Sequence, residues 1–308
     1  MSAFLHAVPG AVAQGIIWGI MAIGVYITFR ILDIADLTVD GSMATGGAVF
    51  VVLTTSGVNV YISLFVAFIA GCLAGLVTGL FHTAFGIPAI LSGILTQLAL
   101  YSINLRIMNK NSNIAISFRK YNLMLTLSNI PKSMIVGGIF ALAIIVILYW
   151  FFGTEIGSSV RATGCNLAMS RANGINTNFN KVFGLVLSNG VVALSGALLS
   201  QYQGFADINM GRGAIVIGLA AVIIGEVLFS KIFRNFALTL LALVFGGIIY
   251  YIVITLVIQL GMDANDLKML TALVVAVFLG VPYWKAKAST KIGKNKKDKA
   301  VMGGNENA

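Results

Sequence analysis

Thr154–Lys181 reads TEIGSSVRATGCNLAMSRANGINTNFNK, a long polar island in an otherwise apolar chain. Before it, Met134–Phe152 carries no charge; after it, Val182–Ser200 is apolar and rich in small residues. A polar segment between two membrane spans that holds Arg161, Arg171 and Lys181 belongs on the cytoplasmic side by the positive-inside rule. Ser158–Arg171 is composed for a short helix, and Ala172-Asn173-Gly174 supplies its stop. On composition alone, an ordinary solvated loop fits the same residues.

The surrounding composition makes the spans certain in kind. Of 308 residues, 58% are hydrophobic and only 10% are charged, where a soluble domain carries about 25% charged residues. Apolar runs near 20 residues recur along the chain, which makes it an all-α, polytopic membrane protein and excludes a soluble enzyme. The net charge of +10 does not point to nucleic acid, because seven lysines fall between Lys285 and Lys299. There they orient the chain and can touch anionic lipid. Residues 1–284 read as one transmembrane domain and 285–308 as a basic, disordered cytoplasmic tail. Cys72 and Cys165 imply no disulfide. The N-terminal residues lack a basic stretch and cleavage site, so no removable signal peptide is expected.

Working outward, Ala11–Phe29 is the first span. Asp33, Asp36 and Asp40 follow closely, and the next run, Met43–Thr55, is too short to cross a bilayer of about 30 Å. Either an early helix start or a broken helix is expected there, and both put polar groups near membrane depth. Val60–Leu80 repeats Gly71, Gly75 and Gly79 on one face, a packing seam. Ile90–Ile107 carries Ser92, Thr96, Gln97, Tyr101 and Asn104, which must face protein or a pore. Asn109–Lys132 and Gln201–Gly213 are the long outer segments, the second external or re-entrant. Ala214–Phe229 carries Glu226, and Lys231 with Arg234 marks an inner turn. Phe236–Leu260 and Met269–Tyr283 complete about nine transmembrane or re-entrant segments. Ala35-Asp36-Leu37-Thr38 is echoed by Ala206-Asp207-Ile208-Asn209, a hint of an internal repeat.

Nothing in the chain supplies a catalytic or cofactor site. It has no phosphate-binding GxxxxGK, GxGxxG, HExxH or CxxC pattern. His6 and His82 lack a nearby ligand-type partner, so no metal is expected. Nucleotide energy would have to come from another chain.

Two stretches resemble the permease subunits of bacterial ABC importers, in the group that includes branched-chain amino acid and ribose permeases. One is Arg161-Ala162-Thr163-Gly164-Cys165-Asn166-Leu167-Ala168-Met169, closing with Asn173-Gly174-Ile175-Asn176. In that family such a segment brackets the cytoplasmic coupling helix that touches the ATPase. The other is Arg30-Ile31-Leu32-Asp33 with Asp36-Leu37-Thr38-Val39-Asp40-Gly41-Ser42. This form, with Gly86-Ile87-Pro88-Ala89-Ile90-Leu91-Ser92-Gly93-Ile94-Leu95, is similar to a subgroup associated with tryptophan and other aromatic amino acids. The chain departs from the general importer pattern in having Ala-Met-Ser ahead of its glycine, not Glu-Ala-Ala.

The resemblance covers roughly residues 11–284 and implies an importer permease fold in a bacterial inner (plasma) membrane. Implied partners are an ABC ATPase that carries ATP and Mg, an extracytoplasmic binding protein and a second copy of the chain. ATPase coupling falls to Arg161, Gly164, Asn166, Leu167, Met169, Gly174, Ile175 and Asn176, and a bulky residue at Gly174 is expected to uncouple without unfolding. The translocation path is placed at Asp36, Thr38, Asp40, Thr96, Gln97, Tyr101 and Asn104. Docking of the binding protein is placed at Arg119, Lys120, Gln201, Tyr202 and Gln203. The competing reading is an ion-coupled secondary transporter using Asp36, Asp40 and Glu226; a non-transporting scaffold fits the polar residues in the spans poorly.

Overall fold

The computed structural model describes residues 2–229 and 235–259, with isolated positions between 269 and 280. The inner turn at Lys231 and Arg234, most of Met269–Tyr283 and the lysine tail lie outside the described residues.

The described chain is built almost wholly from helices. In order they are α1 (Ser2–Tyr26), α2 (Thr38–Thr55), α3 (Val60–Thr83), α4 (Ala89–Ile107), α5 (Ile130–Gly153), α6 (Glu155–Cys165), α7 (Leu167–Ala172), α8 (Thr177–Gln203), α9 (Ala214–Phe229) and α10 (Phe236–Gln259). Polar side chains start them where the sequence offers one. Asn59, Asn129, Thr154, Asn166 and Asn176 each accept a hydrogen bond from a backbone amide of the helix that follows, the role for which short polar side chains are favoured. Gly204, at φ +81°, ends α8 in the left-handed conformation. Two short strands, β1 (Asn113–Ala115) and β2 (Phe205–Asp207), pair antiparallel and lie at what is called here the sheet end. The other end, carrying Arg30, Arg161 and Lys181, is the basic end.

Among the described residues, six helices are long and apolar enough to cross a membrane: α1 with its π-helical extension, α3, α4, α5, α8 and α10. The expected count of about nine transmembrane or re-entrant segments is not confirmed, since most of Met269–Tyr283 lies outside the described residues. α2 and α9 are the broken elements between long helices. A π-helical turn (Ile27–Ile31) closes α1, residues 33–37 are non-helical, and α2 then starts at Thr38. Asp36 and Asp40 therefore do not share one helix face.

The halves α1–α3 and α8–α10 run in opposite senses. Ser195 Oγ donates to Ile17 O at 2.8 Å and Ser188 Oγ to Gly24 O at 2.7 Å, so α1 and α8 are antiparallel. α8 packs on α3 as α1 packs on α10. The glycine seam explains the closeness. A β-carbon on Gly71 or Gly75 would overlap the carbonyls of Asn189 or Leu185, and one on Gly15 or Gly19 the backbone at Ile248 or Val244. Such small-residue contacts bind helices where lipid removes the hydrophobic drive between them. The sequence echo falls at corresponding joints. Asp36 Oδ1 accepts from Thr38 N at 2.9 Å, and Asp207 Oδ1 accepts from Asn209 N at 2.7 Å. The same turn precedes α2 in one half and α9 in the other. Large apolar side chains on α3 and α5, such as Phe65, Leu73, Ile139 and Trp150, are exposed, as a lipid-facing surface requires.

Candidate functional site

Three polar regions stand out along the bundle. The first is internal. Half-way along α8, Asn189 Nδ2 donates to Asp36 Oδ2 at 2.7 Å, and Ser42 Oγ donates to Asn189 Oδ1 at 2.6 Å. Beside it, Thr38 Oγ1 and Thr78 Oγ1 lie 2.7 Å apart, and Thr78 donates to Thr96 Oγ1 at 2.9 Å. Asp36, Thr38 and Thr96 are buried. This is a closed network with its carboxylate fully used, which fixes the broken helix to α3, α4 and α8.

The second region is a cavity of about 340 Å³ toward the sheet end. It brings together Asp40, Gln97, Tyr101 and Asn104 with two residues missed in the sequence, Ile208 and Arg212. Asp40 does not cap its own helix here. Its Oδ2 accepts from Gly213 N and its Oδ1 from Ile215 N, both at 2.9 Å, at the start of α9. A carboxylate at a helix N-terminus meets both the free amides and the favourable end of the dipole. Asn104 is 1% exposed and its Oδ1 has no partner among the described residues. A buried acceptor left unpaired costs free energy unless a ligand or water serves it. Arg212 escaped notice because it stands in a loop of glycines, and only the fold of that loop against Asp40 brings it to the cavity.

The third region is the polar island. The expected single helix is two: Asn166 adopts an extended backbone, ends α6 and caps α7 by accepting from Met169 N at 3.0 Å. An asparagine offers the backbone this alternative to continuing a helix. The segment is tied down on several sides. Gly164 packs against Ile31 O at the end of α1. Asn180 Nδ2 donates to Thr163 Oγ1 at 2.9 Å, and Arg171 Nε to Thr177 Oγ1 at 3.1 Å. Arg161 donates to Phe152 O and lies 5.7 Å over the Phe236 ring. Leu167 and Met169 remain 40% and 50% exposed, Ile175 is half-buried, and Asn176 caps α8. Gly174 sits at φ +76°. Any bulky residue there is strained, so a bulky Gly174 variant perturbs the fold as well as any partner contact.

Of the residues placed at the outer docking surface, Arg119 and Lys120 are exposed. Gln201 and Tyr202 are interior. Gln201 Oε1 accepts from Met124 N at 3.0 Å, and Tyr202 OH donates to Gly10 O at 3.3 Å. They anchor the outer segment from below, and Gln203 is half-buried above them. Glu226 pairs with Arg30 at 3.0 Å across the ends of α9 and α1.

The family described as branched-chain amino acid transport system / permease component matches residues 9–282. The chain belongs to that family. It is thus an ABC transporter permease subunit, a class whose ATPase is typically a separate chain, and membership implies an ATPase and a binding protein as partners. A protein of Clostridioides difficile (strain R20291) named tyrosine transport system permease protein is 40% identical over 89% of this chain and 91% of its own length. An uncharacterized protein of Rickettsia prowazekii (strain Madrid E) is 34% identical over 87% and 95%. The solved structure of PsaBC from Streptococcus pneumoniae in complex with Fab is similar in fold, with a TM-score of 0.51 at 16% identity over 91% of this chain and 94% of that one. The ion-coupled reading gives way to this membership, and the structure gives Asp36, Asp40 and Glu226 protein partners.

Proposed function

We propose that this chain is the membrane-spanning subunit of an ATP-driven importer for an aromatic amino acid, working as a homodimer in a bacterial inner membrane. The sheet end faces the extracytoplasmic binding protein, and α6–α7 face the ATPase in the cytoplasm. The observation that carries the substrate class is the cavity beneath the sheet end. Arg212 offers a cation to a carboxylate, the unpaired Oδ1 of Asn104 offers an acceptor to an ammonium, and Tyr101 offers a ring face. The likeness to a relative named for tyrosine transport supports the same class. Contacts of this kind are transient by design, since the binding protein supplies affinity and release must be easy.

The role of α6–α7 follows from their attachment. A short helix seated in a groove of a moving partner transmits rigid-body motion only if it is firmly held at its base. The ties to α1, α5, α8 and α10 hold it, and Leu167 with Met169 present apolar anchors outward. The test is ATP-dependent uptake of labelled tyrosine by the chain reconstituted with its ATPase and binding protein. Gln97→Leu and Arg212→Ala should each lower uptake about tenfold, a loss of roughly 1.4 kcal/mol. Wild-type uptake by both variants contradicts the placement of the path.

A further inference from the structure

A second cavity, of about 460 Å³, lies at the basic end, on the far side of the Asp36 network from the first. Asp33 and Lys181 both line it. The translocation reading uses neither. Asp33 follows the π-helical turn at φ 56°, a left-handed conformation that a non-glycine residue holds only where its surroundings require it. Its side chain is exposed and neither hydrogen-bonded nor ion-paired among the described residues, whose ion pair joins Arg30 to Glu226. Lys181 is held without being neutralised. His82 Nδ1 lies 2.9 Å from Ile87 O, to which it must donate, so Nε2 presents a lone pair to Lys181 Nζ at 3.3 Å. A neutral ring thus aims the ammonium, and no carboxylate among the described residues balances it.

Two opposite charges that share a cavity and do not pair with each other call for a ligand that carries both. We propose that this cavity is a second binding site, for a free amino acid zwitterion on the product side. Lys181 takes the carboxylate, Asp33 takes the ammonium, and Leu32, Ile90 and Leu167 cover the side chain. The size agrees. A volume of 460 Å³ is that of a sphere about 10 Å across, which spans two hydrogen bonds of about 3 Å with the zwitterion head between them. Leu167 belongs to the α6–α7 segment, so an occupant touches both the broken helix and the element that faces the ATPase. The proposal rests on the amino acid reading above and deepens it.

The test is direct binding to the purified full-length chain in detergent, without binding protein. Labelled L-tyrosine, L-phenylalanine, L-tryptophan and L-leucine are the probes, with tyramine and 3-(4-hydroxyphenyl)propanoate as competitors that each lack one charge. At least one amino acid should bind at millimolar concentration or below, and neither competitor should displace it. Asp33→Asn and Lys181→Met should each weaken binding tenfold or more, while Lys132→Met, which removes an exposed lysine that lines neither cavity, leaves it unchanged. Asparagine tolerates the same left-handed backbone, and monodisperse elution checks the fold of both variants. Absence of binding by all four amino acids overturns the site, as does binding that Gln97→Leu removes and Asp33→Asn does not. Loss of ATP-driven uptake with this binding intact counts against the transport reading and leaves the site standing.

Discussion

Asn189, half-way along α8, holds the Asp36 carboxylate at 2.7 Å and receives Ser42 on its other amide atom. One side chain thereby fixes the break between α1 and α2 to the opposite half of the bundle. Asn189→Leu leaves a buried carboxylate short of a donor, at a cost of about 2–3 kcal/mol. A clear fall in the thermal unfolding midpoint in detergent is expected, with a smaller fall for Asp36→Asn, which keeps one acceptor oxygen and leaves no buried charge unpaired. Equal midpoints for wild type and Asn189→Leu would refute the assignment.

Asp40 ties α2 to α9 through the amides of Gly213 and Ile215. Asp40→Ala should cost about 1–2 kcal/mol, the usual range for a lost cap. The effect is local, so amide hydrogen exchange should rise at Gly213 and Ile215 and remain unchanged in α5. Unaltered protection at both amides would show that the cap carries no weight.

The seam between α3 and α8 predicts a contrast between two glycines. A β-carbon on Gly75 would overlap Leu185 O, whereas one on Gly138 meets nothing within 4 Å. Gly75→Ala should destabilise by about 1–3 kcal/mol through overpacking. Gly138→Ala, in the interior of α5, should be neutral or stabilising by up to about 1 kcal/mol. Thermal unfolding of both variants side by side decides the point.

Gly174 should respond to backbone preference more than to size. Its φ of +76° with open space around it predicts a cost of roughly 1–2 kcal/mol for Gly174→Ala. Gly174→Asn, larger but tolerant of that conformation, should cost less. The reverse order of unfolding midpoints contradicts the strain argument.

Much of the fold could be read from the residues. The long helices follow from apolar runs, and the Gly71–Gly75–Gly79 spacing announces a close packing face. The break near Asp36 follows from a run too short to span. What stayed hidden depends on tertiary approach. Asn189 is a polar residue inside an apolar run, and nothing in the run says that Asp36 will meet it. His82 has no charged neighbour in sequence, yet Lys181 is its partner once α3 and α8 are packed antiparallel. Gln201 and Tyr202 look like surface loop residues because they precede Gly204, but α8 extends to Gln203 and carries them inside. The helix break at Asn166 was legible in principle, since asparagine favours caps over helix interiors.

The central claim is that α6–α7 receive the movement of an ATPase. Cys165 ends α6 and is exposed, while Cys72 is partly buried in α3. In a Cys72→Ser background, a bifunctional reagent at Cys165 should crosslink this chain to its ATPase subunit, with a yield that changes between the nucleotide-free and ATP-bound states. No crosslink in any nucleotide state would contradict the account.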